Sequence, residues 1–272
     1  MSNNISRVVV ISEIGENHIG DMNIAKKLIE QSAEAGVDYV KLQSYKIENF
    51  NKKDPEYGWF KKVSLSDAAH FTLEAYAEKC GVKFLSSPFS LERTRFLCEN
   101  MGLKDIKVAS GIMLNFEILD YLNSAGINKI FLSTGMASLK EIELALSHLG
   151  EIKNIYLLHC VTQYPCKDDE ANLNAIVTLG KTFKFPVGYS DHTLGSEACL
   201  AAVALGAKVI EKHFTFDKKC KEGTDHEISL EFEEMRNMVK SIRRIENMLG
   251  SGKKLPSVGE KKIVDFVRNR FI

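Results

Sequence analysis

Two histidines, His192 and His213, each stand at the end of a short apolar run. If those runs are neighbouring strands, the two imidazoles meet one divalent ion, with Asp191 and Glu211 beside them. Two protein ligands leave coordination positions for water and substrate oxygens, which favours manganese or magnesium over structural zinc or copper. Lys41 and Lys107 end two further apolar runs, where an ammonium group is costly to desolvate unless an anion accompanies it. Hydroxyls occupy matching places at Ser87, Ser110, Ser133, Thr134 and Ser190. They suit a phosphate or carboxylate, as do the free N–H groups where Ser110-Gly111 and Ser133-Thr134-Gly135 lead into helices. One serine there is an ordinary helix cap; the repetition carries the anion reading. Glu13, the acid closing the first apolar run, is either an acid/base group or the buried partner of a lysine such as Lys41. His159, inside YLLHC, reads equally as a core histidine or a site residue.

These residues share a place relative to the elements that carry them. The chain repeats a β-branched run, a polar turn and a helical pattern. Strand-like runs fall at 8–14, 37–43, 82–85, 106–108, 129–132, 155–158, 187–189 and 208–212. Helix-like stretches fall at 24–35, 66–79, 91–99, 115–124, 139–149, 173–182, 196–205 and 230–249. Eight such units predict an α/β protein, a single (β/α)8 barrel over residues 1–250. A doubly wound sheet would open with a Gly-rich turn, and a sandwich would show strands joined by tight turns. Gly36, Gly81, Gly102, Gly126, Gly150 and Gly206 each follow a helical run, as left-handed caps would. In such a barrel the strand ends that feed the helices form one rim, where active sites sit; the polar residues above all fall on it. Residues 251–272, basic and punctuated by Pro and Gly, hold too few apolar positions for a second core and read as a linker or docking tail.

Composition narrows the partners. Lys plus Arg (36) equals Asp plus Glu (36) in 272 residues, so no global field favours nucleic acid or an anionic membrane. Neither a leader-type start nor an apolar run of about 18 residues is visible, and a cytoplasmic location is expected. Six cysteines without a CxxC pair read as reduced core fillers.

With those residues in view, the sequence resembles the sialic acid synthase family, phosphoenolpyruvate-condensing barrels that make N-acetylneuraminate and related nonulosonates. The likeness is carried by EIGENHIG (13–20), GVDYVKLQ (36–43), SSPFS (86–90), KVASG (107–111), LSTGM (132–136), LLHC…YP (157–165), VGYSDHTLG (187–195), GAKVIEKHFTFD (206–217) and GTDHEISLE (223–231). It implies condensation of phosphoenolpyruvate with an N-acetylmannosamine-type sugar aldehyde, giving a sialic acid or related nonulosonate plus phosphate. On the matching positions, Lys41, Ser87, Lys107, Ser110, Ser133, Thr162 and Ser190 would hold phosphoenolpyruvate. His192 and His213 would hold the metal, Mn2+ first, with Mg2+ or Co2+ as substitutes. Glu13 would face the water that the metal carries, and Gln43, Tyr164 and Asp225 would contact the sugar.

Two departures from the family pattern bear on the acceptor. Where the family reads SGE this chain reads Ser110-Gly111-Ile112, which removes a carboxylate expected near the sugar. The family's small C-terminal antifreeze-like domain is also not expected within this sequence, so a homodimer or a separate capping protein is the expected partner. Two alternatives stand beside this reading: a 3-deoxy-2-keto acid synthase acting on an unaminated sugar phosphate, and a non-catalytic barrel that binds a sugar or a partner. Glu13 together with the histidine pair favours catalysis.

Overall fold

The computed structural model describes residues 7–271; residues 1–6 and 272, the outermost positions of the expected barrel and tail, lie outside the described residues. Eight strands follow in sequence: β1 (Val9–Gly15), β2 (Tyr39–Ser44), β3 (Lys83–Pro88), β4 (Asp105–Val108), β5 (Lys129–Ser133), β6 (Asn154–His159), β7 (Val187–Asp191) and β8 (Val209–His213). The seven resolved ladders are all parallel, in the order β3-β2-β1-β8-β7-β6-β5-β4. Strand β3 packs beside β4 and brings the sheet nearly to closure. The fold is the (β/α)8 barrel that the alternating units predict, a single domain.

Ten helices accompany the strands: α1 (Met22–Ala35), α2 (Tyr57–Val63), α3 (Asp67–Lys79), α4 (Leu91–Arg95, running on as a π turn over Phe96–Asn100), α5 (Phe116–Ser124), α6 (Leu139–Ser147), α7 (Asn174–Phe183), α8 (Glu197–Ala204), α9 (Phe232–Leu249) and α10 (Val258–Arg268). Side chains of Asp21, Ser66, Ser90, Asn115 and Ser138 cap the starts of α1, α3, α4, α5 and α6 by accepting from backbone N–H groups two to three residues on. Helices α2 and α10 were not expected.

Five of the six expected glycine caps are left-handed, with φ between 65° and 107°. Gly150 is not. There the chain leaves α6 through successive three-residue turns, Leu149 N–H to the Leu146 carbonyl and Ile152 N–H to the Leu149 carbonyl, which need no left-handed residue.

Two apolar clusters hold the molecule. The larger lies between sheet and helices. The smaller, Ile11, Tyr39, Leu85, Phe131, Leu158 and Val209, plugs the barrel interior. Burial on both faces is why most strands read as continuous apolar runs rather than alternating ones. All six cysteines are free. Among the described residues no helix is long and apolar enough to cross a membrane.

Candidate active site

Period-two alternation builds the site directly on the interior plug. Two residues beyond Ile11, Tyr39, Leu85, Phe131 and Val209 on the same strands stand Glu13, Lys41, Ser87, Ser133 and Glu211, on the same face. The barrel interior therefore passes in one step from hydrocarbon to charge and hydroxyls. A further step outward come Gln43 on β2 and His213 on β8. Glu13 is level with Lys41 on one side and His213 on the other, and Gln43 is level with Ser87.

Every residue that the family resemblance assigned to the site lines one cavity of about 170 Å3: Glu13, Lys41, Gln43, Ser87, Lys107, Ser110, Ser133, Thr162, Tyr164, Ser190, His192, His213 and Asp225. Phe89, Ala109, Gly111, Cys160 and Glu211 complete its wall. Glu211 sits two positions before His213, so alternation could have assigned it inward; Phe89, Ala109 and Cys160 carry no charge or hydroxyl and gave no signal.

Other candidates turn away. Thr134 Oγ1 donates to the Leu158 carbonyl at 3.1 Å instead of facing an anion. His159 bonds the Ala171 carbonyl through Nε2 at 2.9 Å and stacks on Tyr189, which settles it as a core histidine. Asp191 is buried on the opposite side of its strand from Ser190 and His192, paired with Lys212 at 2.8 Å, and does not flank the histidines inside the cavity. Ile112 packs into the apolar core and does not line the cavity. Glu16, next in the β1 loop, accepts from Tyr45 at 2.8 Å and Trp59 at 2.7 Å, fastening α2 to the rim.

The inner layer is a compact charge cluster. Lys41 Nζ lies 3.2 Å from both Glu13 Oε2 and Glu211 Oε2, and Lys107 Nζ lies 3.4 Å from Glu211 Oε1. Lys107 donates to Ser133 Oγ at 2.7 Å, and Ser190 Oγ donates to Glu211 at 2.8 Å. Burial pushes Glu13 up to about 7, with Lys41 opposing and Glu211 adding to the rise. Burial acts the same way on Glu211, but Lys107 and Lys41 outweigh it and hold that carboxyl well below its usual range. Lys107 is lowered by burial, against the pull of Glu211. For Lys41 the two carboxylates overcome burial and raise it. Two ammonium groups thus face one firmly ionised carboxylate and one that is half-titrated near neutrality, leaving a positive surplus. Buried Ser87 Oγ and His213 Nδ1 have no hydrogen-bond partner within the protein, and Glu13 Oε2 and Glu211 Oε2 meet only the Lys41 ammonium. Buried polar atoms short of partners are costly, and here all four face one cavity.

Beside this layer the chain makes a backbone cradle. The Gly135 N–H donates to Ser110 Oγ at 3.1 Å, and Ser110 Oγ lies 3.1 Å from Cys160 Sγ. A Cβ at Gly135 would stand 2.7 Å from Ser110 Oγ and 2.9 Å from Cys160 Sγ, and would collide with Thr162 Oγ1. Only glycine lets these three side chains converge.

The histidine pair stands at the cavity mouth beside this layer. The ring centroids are 5.5 Å apart, and His192 Nδ1 donates to the Val161 carbonyl at 2.6 Å, so its Nε2 keeps a free lone pair. Burial lowers His192 to about 4, helped by the neighbouring His213, and lowers His213 to about 3, helped by the Lys41 ammonium. Both rings are therefore neutral, the form that ligates metals. Tyr164 lies against His192 with centroids 4.1 Å apart, and Asp225 Oδ2 is 3.5 Å from His213 Nδ1. Among the described residues no group of three or more His, Cys, Asp or Glu side chains is arranged for a metal. The pair fits an ion whose other positions are filled by non-protein oxygens.

Comparison with known proteins agrees with this geometry. The model of the NeuB family matches residues 28–254. The N,N'-diacetyllegionaminic acid synthase of Campylobacter jejuni is 44% identical over 288 residues, covering 98% of this chain and 85% of that protein. Its namesake from Legionella pneumophila is 39% identical over 280 residues, covering 95% and 78%. The crystal structure of N-acetylneuraminic acid (sialic acid) synthetase from Leptospira borgpetersenii, in complex with citrate, superposes with a TM-score of 0.91 at 36% identity, covering 98% of this chain and 93% of that one. The relatives span the barrel and its cavity, the family match covers all of it but β1 and the start of α1, and the chain belongs to the NeuB family of enzymes.

Proposed function

We propose that this enzyme joins phosphoenolpyruvate to an N-acetylmannosamine-type sugar aldehyde in a metal-dependent condensation, giving a nonulosonate and phosphate. The observation that carries the reading is the vertical order of the cavity: a positive layer of Lys41, Lys107, Ser87 and Ser133, and next to it two neutral histidines. Phosphoenolpyruvate has two anionic groups, and the layer supplies two ammonium groups, hydroxyls and the Ser110–Gly135 cradle to match them. His192 and His213 would hold a divalent cation, Mn2+ in first place, which when bound supplies Lewis-acid polarisation of an aldehyde oxygen. Gln43, Tyr164 and Asp225, at the outer end, would orient the sugar so that its aldehyde carbon faces C3 of phosphoenolpyruvate.

As the C3–carbon bond forms, C2 becomes cationic and takes up water. Glu13, titrating near 7 and level with both Lys41 and His213, is placed to accept the proton that this water loses. The C2–O bond to phosphate then breaks as the new C2 hydroxyl gives up its proton and becomes the keto oxygen. The electron pair leaves with phosphate, whose charge Lys41 and Lys107 neutralise. The former aldehyde oxygen, which took the carbonyl pair as the C–C bond formed, takes up a proton to become a hydroxyl. The names of the two synthases above favour an acceptor with two N-acetyl groups, and Phe89 and Ala109 offer an acetyl methyl an apolar wall. Phosphoenolpyruvate is a metabolite of the cell interior, so a cytoplasmic location goes with this reading.

The test is phosphate release with phosphoenolpyruvate, Mn2+ and one of three sugars: N-acetylmannosamine, a diacetamido trideoxy-hexose, or an unaminated sugar phosphate. Release should require an amino sugar, match it one to one, and stop in excess chelator. Turnover with the unaminated sugar phosphate alone, or undiminished turnover in chelator, would overturn the proposal.

A further inference from the structure

Behind the two histidines, on the side of the sheet away from the cavity, lies a charged pair that the chemistry above does not use. Lys212 Nζ is 2.8 Å from Asp191 Oδ2, and both side chains are wholly buried. Asp191 Oδ1 accepts from the Thr193 N–H and from Thr193 Oγ1, each at 2.8 Å. Lys212 also donates to the Thr193 carbonyl, and the Cys199 thiol on α8 donates to Asp191 Oδ2 at 3.2 Å. On the α8 side Cys199, Ala202 and Val203 are buried here, and on β1 Ser12 is level with Lys212. A buried ion pair in such a layer is a poor device for stability alone, because desolvation offsets most of its attraction.

Its position says what it does. Asp191 and Lys212 are the last paired residues of the β7–β8 ladder, so His192 and His213 are the next residues on each strand. His192 lies beyond the end of β7 and has no ladder partner. What fixes its backbone is the clamp on either side, Asp191 before it and Thr193 after it, together with the Cys166 N–H donating to its carbonyl at 2.8 Å. Lys212 ties that clamp to the residue immediately before His213. The two strand ends that carry the imidazoles are thus tied to each other by one buried ion pair that touches neither ring.

We propose that Asp191 and Lys212 form a positioning strut, holding His192 and His213 at the spacing that lets both ligate one divalent cation. The proposal rests on the reading of the histidines as a metal pair. A shift of a few tenths of an ångström in either strand end moves both ring nitrogens, whereas of the anion layer only Ser190 and Glu211 lie on β7 and β8, and Lys41, Ser87, Lys107 and Ser133 are held on β2, β3, β4 and β5.

The test uses the full chain as Lys212→Met and as the double variant Asp191→Asn/Lys212→Met, which leaves no uncompensated buried charge if the single variant fails to fold. Mn2+ binding is followed by electron paramagnetic resonance, and phosphoenolpyruvate binding without metal by calorimetry. Mn2+ affinity should fall on the order of 10–100-fold, the scale for losing a partner that orients a metal ligand, while phosphoenolpyruvate affinity stays within about 2-fold. Unchanged Mn2+ affinity in the folded double variant overturns the strut. So does a parallel loss of both affinities, which would mark the pair as general scaffolding. Wild type and His213→Ala serve as the reference: if they bind Mn2+ equally, the metal reading falls and the strut falls with it. If His213→Ala loses the ion and the strut variants keep it, the strut alone is wrong.

Discussion

Lys41 stands 3.2 Å from two carboxylates, Glu13 and Glu211, whereas Lys107 reaches Glu211 alone. That asymmetry makes the two lysines separable by experiment. Lys107→Met leaves Glu211 paired with Lys41, but Lys41→Met leaves Glu211 with Lys107 and Glu13 with no ammonium partner. Both variants should weaken phosphoenolpyruvate binding by about 2 kcal/mol or more in calorimetry. Only Lys41→Met should also be strongly destabilised, on the scale of about 3–5 kcal/mol for breaking a buried pair. Equal unfolding midpoints for the two variants would show that the bridge between the carboxylates carries no energy. Glu13 gives a second residue-scale prediction, set by pH. Its carboxyl is raised from 4.5 to about 7, so the protonated form is the one the fold favours. The stability this confers is complete below 4.5 and is lost as pH climbs through 7. The deprotonated form is the one that can take a proton from water, so kcat should rise through the same window. Activity and stability should therefore move in opposite senses between about pH 5 and pH 8. Glu13→Gln should flatten both profiles and lower kcat about 100-fold or more. A kcat profile in Glu13→Gln that still rises through 7 at wild-type rates would assign the proton to another group.

At the scale of elements, the strands and the rim were legible because polar residues stop apolar runs, and a strand end in this fold is where a site begins. Where the reading stopped short, the cause is specific. Asp191 is one residue from two cavity residues, Ser190 and His192, and strict alternation would have turned it outward; its charge drew it into the site instead. Ile112 was placed by motif likeness, and a motif does not say which way a side chain in a short turn points. Helix α2 is seven residues held by contacts distant in sequence, Trp59 to Glu16 among them, and intrinsic propensity cannot announce that. Helix α10 did announce itself: Ser257 and Glu260 form a reciprocal capping box, a signal that Pro256 and Gly259 outweighed in the reading of the tail. The cradle after β5 yields the element-scale prediction. At Gly135 an added methyl meets Ser110, Cys160 and Thr162 at once. Gly135→Ala should keep the barrel, since the strain is local to the loop, and should lower phosphoenolpyruvate affinity by about 1–3 kcal/mol, the usual cost of overpacking. Wild-type affinity in a folded Gly135→Ala would show that these three side chains can spread without loss to the anion site.

For the molecule as a whole, basic and acidic residues cancel, 36 against 36, and the attraction for an anion is concentrated in one buried layer. Its members come from successive strands around the barrel, so only the folded sheet assembles them. Phosphoenolpyruvate should therefore stabilise the entire barrel by mass action, by about 2.7 kcal/mol at a hundred times its Kd. In a chain of this size that corresponds to a rise in unfolding midpoint of roughly 5–10 °C. The tail should be silent in the same measurement. From residue 251 to 270 every side chain is exposed except half-buried Val264, and α10 packs chiefly on the short turn that follows it, Asn269–Phe271. None of these residues lines the cavity or joins the buried core. A chain cut after Gly250 should keep its midpoint within about 1–2 °C, the effect expected of exposed segments, and should show the full phosphoenolpyruvate shift. Thermal denaturation of the complete and shortened chains, each with and without phosphoenolpyruvate, separates the outcomes. A midpoint several degrees lower without ligand would mean that α10 docks on the barrel in solution. An unchanged midpoint with a diminished ligand shift would mean that the tail reaches the mouth and contributes to the site.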